Sequence, residues 1–141
     1  MIPGENWQIY TLLSLFLYGL WGFLSKFATN YIDPKTTLIY DIAGSILVAI
    51  VLLFTPNFRL QGDVRGISYA VFIGIASAIA TLCFLIAVSK SSTAIVLGIT
   101  SLYPVVTILL GFLILKEPIS WRQGIGIVLA IGALMLLSTE E

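Results

Sequence analysis

Apolar runs of close to twenty residues, broken only by short polar clusters, recur along the whole chain, and no other feature limits its fold as much. A run of that length covers the roughly 30 Å hydrocarbon core of a bilayer as a helix, and lipid offers no partner to an unbonded backbone group. The runs lack the period-two alternation of a membrane barrel. The expected fold is therefore an all-α integral membrane protein, a bundle of five transmembrane helices. Charged residues make up 10% of the chain against roughly 25% in a soluble domain, which agrees.

The spans are expected at 7–28, 36–55, 67–89, 93–115 and 120–137, in one domain over 1–141. The leading MIPGEN has no Lys or Arg and no small-residue cleavage site follows it, so the first span is read as a retained helix and not a signal peptide. Trp7 and Tyr10 suit one interface; Asn30, Asp33 and Pro34 punctuate the other end. Pro56 and Asn57 close the second span, the loop FRLQGDVRG leads to the third, and Lys90, Ser91 and Ser92 lead to the fourth. An acidic stub, 138–141, follows the fifth.

The fourth span carries Tyr103 and Pro104 in mid-run. Proline has no backbone N–H, so the carbonyl of Thr100 loses its partner and the helix is expected to bend there against protein or water. Pro104 and Gly22 are the candidate bend or gate positions. The turn 116–122 then returns the chain across the bilayer.

Polar and small residues recur at helical spacing within the spans: Ser14, Tyr18, Trp21, Gly22 and Ser25 in the first; Thr37, Asp41, Gly44 and Ser45 in the second; Gly74, Ser77 and Thr81 in the third; Thr100, Tyr103 and Thr107 in the fourth. Small and hydroxyl residues let helices approach without any ligand, and that packing role is the reading for Gly124, Gly126, Ala130 and Gly132, a packing or dimerisation face of the fifth span. Tyr18, Trp21 and Tyr103 are larger than close packing wants; they either fill core space or are candidate substrate-binding residues, able to stack on a flat or cationic organic molecule.

Asp41 is the one acid clearly inside a span, roughly 8 Å in at the helical rise. An ionisable group at that depth calls for a named partner. Lys26, in the last turn of the first span, is a candidate ion pair with it; alternatively Asp41 faces a watery vestibule and binds a cationic substrate or a proton, or simply reaches the interface. The sequence separates none of these.

The chain has no histidine and a single cysteine, Cys83, which excludes disulfide frameworks, zinc sites and His-based catalysis within one subunit. No metal or cofactor is expected. Seven basic residues balance seven acidic ones without clustering, so nucleic acid is not an expected partner. Asp41 has no second aspartate at membrane depth, which argues against an intramembrane enzyme.

Five spans put the termini on opposite sides. One side then holds Arg59, Arg65, Lys116 and Arg122 and the other Lys26, Lys35 and Lys90, a weak bias by the positive-inside rule. Either the protein inserts one way, or it inserts both ways and pairs as an antiparallel homodimer, reproducing with two copies the inverted repeat on which many secondary transporters are built.

The stretch 91–137 carries a family resemblance in its small polar residues before an apolar helix, its Ser101-Leu102-Tyr103-Pro104 break, Lys116-Glu117-Pro118, and Gln123 and Gly126 opening a glycine-spaced helix. With the Trp21-Gly22 pair and Lys26 in the first helix, the whole chain resembles one EamA domain of the drug/metabolite transporter superfamily. Asp41 departs from the basic residue often found near the start of that family's second helix. The resemblance implies a secondary transporter of small organic metabolites or drugs, an exporter in the cytoplasmic (inner) membrane that alternates access as a dimer, each chain half of an inverted-repeat architecture. The competing expectations are a non-transporting membrane scaffold or regulatory subunit, and a lipid-linked sugar flippase subunit.

Overall fold

Local capping chemistry sets where the helices begin. The computed structural model describes residues 7–56, 58–60 and 62–138, and among these the regular structure is helical throughout. The segments Trp7–Tyr31, Pro34–Leu53, Val64–Lys90 and Thr93–Leu115 are each long and apolar enough to cross a membrane, and the helix Trp121–Ser138 takes the place of the expected fifth span. The MIPGEN lead-in, the expected stop at Asn57 and residues 139–141 lie outside the described residues. The chain falls into two units, Met1–Lys90 and Ser91–Glu141.

Among the described residues the first unit holds three helices. α1 (Trp7–Tyr31) runs unbroken into a tight turn, where the Asp33 carboxylate accepts from the backbone N–H groups of Lys35 and Thr36 and so N-caps α2 (Pro34–Leu53). Pro34 falls in the first turn, where a missing N–H leaves no bond unmade. The Thr36 hydroxyl also donates to Asp33, and this bond, with the Thr36 N–H, holds the Asp33 carboxyl below the usual carboxylate range. α3 (Val64–Lys90) starts on the same device, with Asp63 accepting from the Gly66 N–H at 2.8 Å.

α3 packs against both α1 and α2. The buried positions are Phe84, Leu85 and Val88 on α3, Gly22 and Ser25 on α1, and Thr37 on α2. All lie where α1 ends, α2 begins and α3 ends, so the packed core sits at that end of the three helices. Away from it, residues 7–20, 42–56 and 64–77 are exposed wherever described. A lipid-facing helix has no reason to hide apolar side chains.

In the second unit, Ser92 caps α4 (Thr93–Thr100), accepting from the Ile95 N–H. The expected single bent span is in fact three pieces: α4, then α5 (Tyr103–Leu110), then a π-helical turn at Gly111–Leu115. The break falls at Ser101 and Leu102, beside Pro104, as its missing donor requires. Three-residue bonds tighten the join, Leu102 N–H to Ile99 O at 3.2 Å and Val105 N–H to Leu102 O at 2.9 Å. Pro104 thereby becomes a first-turn residue of α5, a position that tolerates it.

The π turn ends at Lys116, whose φ of 54° is left-handed, and the Glu117 N–H closes onto Gly111 O at 3.3 Å. This is the usual way of stopping a helix, with lysine in the place glycine normally fills. α6 (Trp121–Ser138) opens on a capping box: Ser120 N–H donates to Gln123 Oε1 at 2.8 Å and Gln123 N–H donates back to Ser120 Oγ at 3.3 Å. α6 packs on α4.

Candidate functional site

Trp21 lies near the middle of α1 and Asp41 two turns into α2, and the tight turn between the helices brings them face to face. Trp21 Nε1 donates to Asp41 Oδ1 at 3.2 Å. The indole ring stacks on Phe84 of α3, with centroids 4.8 Å apart and planes 30° from parallel. Indole is therefore fixed by its ring on one helix and by its N–H on another, the arrangement that a part-buried Trp requires. Asp41 is half-buried, and its second oxygen, Oδ2, takes no bond among the described residues.

One helical turn from this pair lies another. Ser25 follows Trp21 by four residues and Thr37 precedes Asp41 by four, so both fall on the same facing stripes. Ser25 and Thr37 are buried, 6% and 8% exposed. Each hydroxyl donates to a backbone carbonyl one turn back: Ser25 Oγ to Trp21 O at 2.8 Å, Thr37 Oγ1 to Asp33 O at 3.0 Å.

Between the two helices these residues line a cleft of about 370 Å³, whose wall also includes Leu17, Leu20, Leu24 and Tyr40. A cleft of this size suits a small organic molecule, since ligand sites begin at about 300 Å³. Its chemistry is an apolar wall, an aromatic face and a carboxylate oxygen.

Lys26 and Asp41, the candidate ion pair, take other partners. Lys26 stands five residues beyond Trp21, about 140° further round α1, so it faces a different neighbour. Its Nζ donates to Val88 O at 2.7 Å. That carbonyl is among the last four of α3, which have no partner within the helix, and a cation there also answers the helix dipole.

Of the remaining candidates, Tyr18 is exposed on α1 and Gly22 is buried within that unbroken helix. Tyr103 and Pro104 belong to the second unit, at the break, with Tyr103 exposed. On α6, Gly124 is half-buried with Ile127 and Ile131, while Gly126, Ala130 and Gly132 are exposed. The Glu117 carboxylate turns back on the π turn: its Oε2 lies 3.2 Å from where a Cβ on Gly111 would stand. The Arg122 guanidinium sits 5.8 Å from the Trp121 ring centroid.

Sequence reasoning missed Phe84 and the Val88 carbonyl. Phe84 is one of eight phenylalanines in an apolar chain and carries no mark of its own. Its signal is visible only in the spacing of Thr81, Phe84, Leu85 and Val88 along one face of α3.

The sequence pattern of the EamA-like transporter family matches residues 6–139. Over 133 residues the chain is 32% identical to an uncharacterized protein of Methanocaldococcus jannaschii, covering 94% of this chain and 96% of that protein. It is also 26% identical over 132 residues to an uncharacterized transporter of Helicobacter pylori, covering 90% of this chain but 43% of that one. No solved structure matches it significantly.

Proposed function

Because this chain belongs to the EamA-like transporter family, we propose that it is a secondary transporter of small organic metabolites or drugs, exporting them across the cytoplasmic membrane as a homodimer by alternating access. The observation that carries this reading is the cleft between α1 and α2, with Trp21 and Asp41 joined across it. A membrane helix pair built only for close packing would bring small residues together there, not an indole and a carboxylate.

The assembly is argued from the relatives. The Helicobacter transporter is more than twice the matched length, room for a second such unit, whereas the Methanocaldococcus protein is spanned by one. Two copies of this chain supply what a tandem repeat supplies in one, and the four-to-three split of basic residues permits them to insert in opposite senses. The exposed Gly126, Ala130 and Gly132 of α6 are the surface assigned to that pairing, and the α4–α5 break at Pro104 is the assigned gate. The family is one of transporters, not enzymes.

The test is counterflow in proteoliposomes of the purified protein, with a panel of labelled amino acids, amines, nucleobases and lipophilic drugs. The expected result is saturable uptake of at least one class, driven by the same solute inside. No uptake above protein-free vesicles for any class overturns the proposal and leaves a scaffold role.

A further inference from the structure

The hydrogen-bond inventory of the cleft is one-sided. The Ser25 and Thr37 hydroxyls each donate to a backbone carbonyl, and the Trp21 N–H donates to Asp41. A hydroxyl that donates once keeps two lone pairs, and a carboxylate is acceptor-only. Apart from Tyr40, the polar lining that remains for a guest is therefore acceptors: Asp41 Oδ2 and the oxygens of Ser25 and Thr37, a turn apart on two facing helices. Tyr40, 68% exposed, is the one lining side chain whose O–H donates to nothing among the described residues.

We infer that the cleft between α1 and α2 binds a protonated primary or secondary amine on a compact apolar body, recognised by its N–H groups and not by charge alone. This rests on the proposed use of the cleft as the substrate site. Asp41 Oδ2 takes one N–H and the Ser25 or Thr37 oxygen takes another, while Leu17, Leu20 and Leu24 cover the apolar part. A quaternary ammonium carries the same charge but leaves all the acceptors unmatched, and an acceptor that the guest strips of water without replacing the bond costs affinity. An anion meets the Asp41 carboxylate, with the exposed Tyr40 O–H as the one lining donor left to receive it.

The test uses Trp21 as its own reporter. Of the three tryptophans, Trp7 and Trp121 are exposed, so Trp7→Phe with Trp121→Phe leaves Trp21 as the sole emitter. This protein, in lipid nanodiscs, is titrated with benzylammonium, with benzyltrimethylammonium and with ethylbenzene. These share a benzyl body and differ in N–H, charge without N–H, and neither. The expected result is a saturable change in Trp21 emission with benzylammonium, at a Kd about tenfold or more below that of either other probe. Asp41→Asn and, separately, Ser25→Ala with Thr37→Val each raise the benzylammonium Kd. Equal affinity for the amine and the quaternary probe, tighter binding of ethylbenzene, or no saturable change with any probe overturns the inference.

Proteoliposome flux separates this from the broader reading. Amine-selective binding with no counterflow of benzylammonium or of any other class in the panel keeps the amine site and sinks the transporter. Counterflow of other solutes with no preference for N–H sinks the amine site and keeps the transporter.

Discussion

Replacing Phe84 with alanine separates two forces that a soluble core merges. Phe84 is 7% exposed and backs the Trp21 ring at 4.8 Å. In water a buried Phe→Ala change removes about 3–5 kcal/mol, part of it transfer of the ring from water. In a bilayer the separated helices already sit among apolar chains, so the transfer part vanishes and packing remains. The void left is about 100 Å³, which at about 24 cal/mol per Å³ gives about 2.4 kcal/mol. The lost ring stacking adds about 0.5–1.5 kcal/mol, for a total near 3.

Phe84→Leu fills most of the void and should lose about 1 kcal/mol, the stacking alone. The assay is reversible unfolding in bicelles by titrated SDS, read from far-UV circular dichroism, a signal that does not depend on Trp21. A double-mutant cycle of Phe84→Ala with Trp21→Leu isolates the contact, with a coupling of about 0.5–1.5 kcal/mol expected. Zero coupling refutes the stacking, and an Ala and a Leu variant of equal stability refute the void term; a loss above about 5 kcal/mol refutes the claim that transfer has dropped out.

Other perturbations follow from the same contacts. Lys26→Met leaves Val88 O without its cation and should lower stability by about 1–2 kcal/mol in the same assay, with Lys26→Arg restoring part of it. Pro104→Ala returns the N–H that the Thr100 carbonyl lacks, so α4 and α5 should fuse; spin labels on Val96 and Leu109 should report a narrower distance distribution, with counterflow slowed. Asp33 has a lowered carboxyl pKa in the folded state, so its cap is present above the ordinary carboxylate range and lost as pH falls through the lowered value. Hydrogen exchange at the Thr36 amide should therefore quicken relative to an Asp33→Asn variant only in acid, below about pH 4. For orientation, Tyr31→Cys and Leu60→Cys are made in a Cys83→Ser background; these positions flank α2, whose 20 residues span about 30 Å. Labelling of both from outside intact cells is expected of a protein inserted both ways; labelling of one alone rules out the antiparallel homodimer.

The helical spans and the break at Pro104 were legible because lipid makes backbone bonding compulsory. A run of apolar length announces a helix, and a proline inside it announces where the ladder fails. Trp21 and Asp41 were each legible as misfits, one large and one charged, among small neighbours. Their bond was not, because it depends on register between two helices, and sequence sets that register only through the turn at Asp33 and Pro34. Lys26 went to Val88 O because any residue can supply a backbone carbonyl, which leaves no trace in side-chain pattern. Phe84 was hidden for the reason that makes the spans obvious: where both lipid and protein interior are apolar, hydrophobic periodicity no longer tells inside from outside. The π turn lacked the glycine that usually marks a left-handed helix stop, since Lys116 holds that place.

The most direct test of the account is to fill the cleft and watch transport. Leu24→Cys, on the cleft wall, and Phe72→Cys, exposed on α3, are each made in the Cys83→Ser background and alkylated with a benzyl maleimide to completion by mass. The account predicts that counterflow falls to the protein-free level for the modified Leu24→Cys protein, that substrate slows its alkylation, and that the modified Phe72→Cys protein keeps its flux. Undiminished flux with the cleft filled contradicts it.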